Sequence, residues 1–305
     1  MWEARFLLLL CQLQLVVSLT KLRPAPNVSA NSSAALTLEA LPFHNILLVV
    51  HCRLKKGIGS EVCAEREPLF DGYRQFFADV LYITRKECPT CGDPHMCVTK
   101  LMEGPGANRD GVFYMHFDSL IRPRQLAATF NKDDMFSFDN RTWCEINETS
   151  LGQEHCICGF WNPNRAKAYQ DGINKLIGSG IPEFANLDPW QFWIGNDDMF
   201  YVPRKLYHLY GALARSLKGT HHEIAGPTIR TILSNVTAVP NELLGCIGSC
   251  CSKLRGEIAL LPNFKCGHAF DLSVEQTRDD FPTAITTHRR LPMESWRKIV
   301  REAME

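Results

Sequence analysis

The sequence predicts an α/β protein: a mixed, mainly parallel sheet flanked by helices and stapled by disulfides. Three observations carry that expectation. First, Asn45–Cys52 (NILLVVHC) and Asp79–Thr84 (DVLYIT) read as buried strands with a helix opening at Pro68 between them, and strands joined this way normally lie parallel through a right-handed crossover. Second, Val112–Phe117 is a short apolar run opened by Gly111 and closed by Asp118, a pattern that suits a buried strand better than a helix. Third, strands and helices go on alternating after it, as in α/β proteins.

The chain's 305 residues are 45% hydrophobic and 22% charged, which is ordinary globular composition for one large domain or two modest ones. Lys plus Arg equals Asp plus Glu at 33 each, so no nucleic-acid footprint is present. Arg5 precedes the apolar run Phe6–Leu19, broken by Cys11, Gln12, Gln14 and Ser18. That is short against the ~20 residues of a bilayer span and suits a signal-peptide core, with a short uncleaved anchor as the alternative. We therefore expect residues 1–20 to direct export, 21–43 to form a stalk, and 44–305 to form one domain in the secretory lumen or outside the cell. A membrane enters only through an N-terminal type II anchor.

Five N-x-[ST] sequons, at Asn27, Asn31, Asn140, Asn147 and Asn235, agree with export. Removing Cys11 with the leader takes thirteen cysteines to an even twelve, as disulfides in an oxidising compartment require. The pairing is not readable. Cys88, Cys91, Cys97, Cys156 and Cys158 also raise zinc, but their spacing lacks two well-formed pairs. A redox Cys88/Cys91 pair is weaker still, because no helix pattern opens there.

The helix at Pro68 carries Leu69, Phe70, Tyr73, Phe76 and Phe77 on one face. A loop rich in Cys, Pro and Gly is expected over Arg85–Asp110. A short helical segment follows Arg122-Pro123-Arg124, and 131–160 reads as irregular or short β structure. Asn162-Pro163 caps a helix striped by Ala166, Tyr169, Ile173, Leu176 and Ile177. Met199–Val202 is a strand, and Pro203 opens a helix through Leu206, Tyr207, Tyr210, Leu213 and Leu217. A further helix follows His221-His222-Glu223, with Pro227 in its first turn. The region of Cys246, Cys250, Cys251 and Cys266 forms a stapled lobe, and Trp296, Ile299, Val300 and Ala303 form a closing helix.

Three constellations carry candidate chemistry. His116 and Asp118 share one side of an extended strand, and imidazole with carboxylate suits a divalent cation such as Mn²⁺. The plainer alternatives are a core histidine and a turn-starting acid. Asp197 and Asp198 sit in the Gly195-Asn196-Asp197-Asp198 turn; neighbouring side chains diverge, so one of them at most points inward. His221-His222-Glu223 offers a metal ligand with a general base, or simply an acid complementing a helix dipole. Asp133-Asp134 reads as an exposed turn. No G-x-S-x-G elbow, phosphate loop or H-E-x-x-H motif occurs.

The order of these pieces, over roughly residues 45–233, resembles the A-type (nucleotide-diphospho-sugar) glycosyltransferase superfamily, and more narrowly an uncharacterised eukaryotic secretory-pathway group within it. FYMHFDSLIRPRQL looks like the strand bearing the D-x-D motif, with Asp118 as its last acid. WIGNDDMFYVPRKLY looks like the acceptor-side turn and strand, and HHEIAGPTIRTIL like the helix that follows. The resemblance implies a nucleotide-binding half (44–130) and an acceptor half (131–305). It further implies a nucleotide-sugar donor, a glycan or glycoprotein acceptor, and Mn²⁺ or Mg²⁺ as cofactor. Asp118, Arg122 and Arg124 would hold the donor diphosphate, and Asp118 and His116 the metal, with a C-terminal ligand at His222 or His268. Asp198, Glu223 and Asp197 are the catalytic candidates. His116 stands where the motif's first acid belongs, so metal-independent or inactive relatives remain open. The rivals are a secreted lectin-like protein using Trp161, Trp190 or Trp193, and a hydrolase using Asp198 and Glu223.

Overall fold

Ile46–His51 forms β1, with every residue buried. Asp79–Ile83 (β2) and Gly111–His116 (β3) flank it, both parallel to it. The structure, a computed structural model, describes residues 41–52, 60–84, 87–88, 93–138, 142–145, 163–248, 254, 258–259, 261–268, 270, 297–298 and 301–302. The leader, residues 21–40 of the expected stalk, Asn27, Asn31, Asn140, Asn147, Cys91, Cys156, Cys158, Trp161, Cys250 and Cys251 lie outside these residues, as does most of the expected closing helix. The last residues assigned to the stalk belong to the core instead, with Leu41 and Phe43 buried. All the described residues fall within one compact unit.

Beyond β3, the main sheet is completed by Met135–Ser137 (β5), Met199–Pro203 (β8) and Asn241–Leu243 (β9), in the order β2-β1-β3-β8-β5-β9. β8 runs antiparallel to both β3 and β5, whereas β5 and β9 are parallel. The sheet is thus mixed and mainly parallel, as expected. Two small pairs stand apart from it: Leu120–Ile121 (β4) with Cys266–Gly267 (β10), and Thr142–Glu145 (β6) with Gln191–Ile194 (β7).

Alternation of side chains along each strand divides the core into two layers. Leu48, Val50, Phe113, Met115 and Tyr201 join Phe70, Tyr73 and Phe77 on one face. Leu47, Val49, Val112, Tyr114, Phe200 and Val202 face the other way, onto four helices. These are Pro94–Glu103 (α2), Pro163–Ile177 (α4), Tyr207–Ser216 (α5) and His222–Thr237 (α6). Each aliphatic side chain buried in this way contributes roughly 1.5–3 kcal/mol.

The helices depart from expectation in three places. The segment expected from Pro68 begins earlier, as Ser60–Arg66 (α1), and tightens into a 3₁₀ turn over Glu67–Gln75. Pro68 sits at the start of that turn, where its missing N–H breaks no bond, and Leu69, Phe70 and Tyr73 are buried on the anticipated face. The expected Arg85–Asp110 loop contains α2. Its cap is Asp93, whose carboxylate accepts from the Met96 N–H at 3.1 Å, followed by Pro94; the density of Cys, Pro and Gly around it hides this start signal. The helix placed around Pro227 begins at His222, so Pro227 lies inside it. A short helix also follows Arg122, as expected, over Pro123–Ala127 (α3).

Among the described residues, three disulfides link Cys52–Cys63, Cys88–Cys97 and Cys246–Cys266. Cys88 is therefore bonded to Cys97, which removes it from a dithiol with Cys91 and from a zinc site. Such bonds fit a secreted or lumenal protein. Among the described residues no helix is long and apolar enough to cross a membrane.

Candidate metal centre at the sheet edge

Parallel strands β1, β2 and β3 all end at one edge of the sheet, the usual side for a ligand crevice in an open α/β sheet. Because β8 is antiparallel, it begins where β3 ends. His116 closes β3, and its N–H donates to the Asp198 carbonyl at 2.8 Å, carrying the ladder one step past β8. Asp118 falls in a turn just beyond the strand, closed by the Ser119 N–H donating to the His116 carbonyl at 3.0 Å. The acid sits past the strand's end rather than on it, yet still on the same side as His116.

A fourth group comes from the far end of the chain. β10 pairs antiparallel with β4, so the chain leaving Gly267 runs back alongside Asp118. The Phe270 N–H donates to the Asp118 carbonyl at 3.0 Å, and the His268 N–H to that of Ile247 at 3.1 Å. His268 Nε2 then lies 3.3 Å from Asp118 Oδ1 and 3.4 Å from Asp198 Oδ2. His116 Nδ1 lies 3.5 Å from Asp118 Oδ1 and 3.6 Å from Asp198 Oδ1.

These spacings are long for charge-assisted hydrogen bonds, which run at about 2.7–2.9 Å. They match the edges of a coordination polyhedron: donors about 2.1–2.2 Å from one ion, at 100–110° to one another, stand about 3.2–3.6 Å apart. His116, Asp118 and His268 each offer a ligand atom, all within 4.8 Å of one another. His116 Nε2 is buried with no hydrogen-bond partner among the described residues. Two imidazoles and one carboxylate, with Asp198 beside them, form a donor set suited to Mn²⁺ or Zn²⁺ more than to Mg²⁺.

Electrostatics favour a charged cluster. Burial pushes the Asp118 carboxyl up, but the His116 and His268 imidazoles outweigh it and hold the group well below the usual carboxylate range. Burial pulls the His268 imidazole down, yet Asp118, Asp198 and Glu223 together raise it. Glu223 thus acts on the cluster through its charge. The Asn196 amide lies 3.5 Å from His268 Nδ1, the nitrogen turned away from the carboxylates, a position from which it orients the ring.

Proline chemistry explains how Glu223 is brought in. In α6 the N–H that would bond to the Glu223 carbonyl belongs to Pro227, which has none. The Gly195 N–H takes that carbonyl instead, at 3.0 Å, and the Thr228 hydroxyl accepts from the Trp193 N–H at 2.9 Å. The acidic turn is in this way tied to the first turns of the helix. Glu223 Oε2 stands 3.8 Å from His221 Nδ1, and both side chains are 14% exposed.

Asp197 belongs to a different place. Its carboxylate meets Arg230 Nη2 at 2.6 Å and His95 Nε2 at 2.7 Å, with Asp197 and Arg230 wholly buried. His95 Nδ1 continues to the Tyr210 hydroxyl at 2.7 Å, and Arg230 Nε donates to Ser137 Oγ at 2.9 Å. An ideal Cβ on Gly226 would fall 2.2 Å from both Asp197 carboxylate oxygens, so glycine makes room for the pair. Asp197 is an internal tie and is withdrawn as a catalytic candidate, because successive side chains diverge and only Asp198 turns toward the cluster.

The other candidates separate as well. His222 is buried and its ring packs 4.4 Å from that of His221; the group that could hold a metal contains His268 in its place. Arg122 gives Nη1 to the Leu261 carbonyl at 3.0 Å, and Arg124 lies on α3. Asp133-Asp134 forms the expected turn, with Asn131 Nδ2 donating to Asp134 Oδ2 at 2.8 Å. No local signal distinguishes His268 from His222; only the β4–β10 pairing does. Comparison of the sequence with models of known protein families gave no match, and comparison with curated proteins gave no significant one.

Proposed function

We propose that the chain is a glycosyltransferase of the nucleotide-diphospho-sugar type, moving a sugar from a nucleotide-sugar donor to a glycan or glycoprotein acceptor in the secretory pathway. The observation that carries this reading is the convergence of His116, Asp118, His268 and Asp198 at the carboxyl edge of a mixed, mainly parallel sheet, with Glu223 acting on them. The sheet order, with one reversed strand set among parallel neighbours, supports it.

His116, Asp118 and His268 would hold a divalent cation, with Asp198 beside them. When bound, the cation offsets the negative charge that a departing diphosphate accumulates. Asp118 stays ionised to keep that site charged. Asn196 and the Gly195–Glu223 link keep the acidic turn in place. Glu223, partly open to solvent, takes the proton of the acceptor hydroxyl where the reaction inverts configuration.

The test is a panel of nucleotide sugars with Mn²⁺, read by thermal stabilisation and donor hydrolysis. Asp118→Asn is expected to abolish the Mn²⁺-dependent stabilisation and lower turnover by about a hundredfold or more. Unchanged turnover in that variant, or stabilisation by free glycans with none by any nucleotide sugar, defeats the reading.

A further inference from the structure

A cavity of about 370 Å³ opens between α4, the segment leading into β7, and the far half of α6. It is remote from the metal centre: Glu223 and Asn235 are twelve residues apart on α6, about 18 Å of helix. Its volume falls in the range of small-ligand sites. Ile232 supplies apolar wall and Trp193 a half-buried indole, while Glu183, Asn186, Asp188 and Asn235 supply polar groups.

The chemistry of this lining is selective. Two carboxylates with no Lys, Arg or His among the lining residues repel phosphates, nucleotides and organic acids. A bare cation would want acceptors alone, whereas the amides of Asn186 and Asn235 also present donors. Hydroxyl groups, which donate and accept at once, match such a mixed set, and the C–H face of a pyranose stacks on an indole. A second observation comes from the sequence: Asn235-Val236-Thr237 is an N-glycosylation acceptor, and Asn235 is exposed at the cavity. A carbohydrate attached there would begin inside it.

We propose that this cavity is a saccharide-binding site for an uncharged sugar, supplied either by a glycan on Asn235 or by a free glycan. It requires neither the cation nor the donor nucleotide, so it stands or falls apart from the transferase reading. Two measurements on full-length chain from a secretory host test it: glycopeptide mass spectrometry at Asn235, and saturation-transfer NMR titration with N-acetylglucosamine, chitobiose and mannose. Wild type and Asn235→Gln are compared, each with and without Glu183→Ala, a change at an exposed position.

If the site is filled by its own glycan, Asn235 is occupied, wild type ignores free sugar, and Asn235→Gln binds it. If the ligand is free, Asn235 is bare and wild type binds. In either case Glu183→Ala weakens binding about tenfold, as loss of a hydrogen bond to a charged group does. No saccharide binding in either background, or binding that Glu183→Ala leaves unchanged, overturns the proposal.

Discussion

Replacing Asp197 by Asn withdraws a negative charge from between Arg230 and His95, which approach it to 2.6 and 2.7 Å. Arg230 has no exposed side-chain surface, so its guanidinium is left buried opposite a neutral amide. Breaking a buried pair from one side costs about 3–5 kcal/mol. At about 2–4 °C per kcal/mol for a domain of this size, the melting temperature should fall by about 6–20 °C. Adding Arg230→Met removes the stranded charge, and the double variant should be less destabilised than the sum of the single ones, a coupling readable in a double-mutant cycle of urea unfolding. Turnover in the proposed transfer reaction should fall only as the folded fraction falls, because Asp197 faces the core. A stability change within about 0.5 kcal/mol, the range of ordinary surface substitutions, would refute this account of the pair, as would a selective loss of turnover with folding intact.

Three further outcomes follow from the same geometry. The Asp197 carboxyl, pushed up by burial but held below its ordinary value by Arg230 and His95, contributes stability that is full above its unfolded pKa of about 4 and is lost as pH falls from there through its native value. The gap in unfolding free energy between wild type and Asp197→Asn should therefore narrow on acidification below pH about 4, and a gap that widens counts against the pairing. Gly226→Ala drives a methyl to 2.2 Å from both Asp197 oxygens; it should destabilise by about 1–3 kcal/mol or more in the same urea assay, as overpacking does. Replacing both Cys246 and Cys266 by Ala opens a link across 20 residues, worth about 3 kcal/mol on chain entropy. Since Cys266 lies two residues before His268, Mn²⁺ affinity measured by calorimetry should fall about tenfold or more; an unchanged affinity would show that the disulfide does not hold His268 in place.

The strands were legible because a strand's signature is local. Five consecutive aliphatic residues in Ile46–Val50 cannot alternate between water and core, so they read as a strand covered on both faces, and each is wholly buried. The stripe on α4 is legible for the same reason: Ala166, Tyr169, Ile173 and Leu176 recur at the helical period and all are buried. Helix ends were harder to read. The Asp93-Pro94 cap lies among cysteines whose density suggests a loop, and Pro227 suits a first turn by its sequence, although a neighbouring N–H from Gly195 lets it sit inside the helix. Satisfying a carbonyl from a distant turn is a tertiary event with no trace in local periodicity.

Sequence alone determined the α/β class, the cysteine chemistry, and His116 with Asp118 as a pair, although the turn that follows β3, and not an extended strand, is what keeps the two on one side. Tertiary structure decided which acid of Asp197-Asp198 reaches that pair, through the buried Arg230 and the room left at Gly226. It also decided that His268 rather than His222 completes the group, 150 residues along the chain from Asp118. The physical reason is range. Side-chain direction repeats with the backbone's own period, whereas the meeting of β4 with β10 depends on how the whole chain packs.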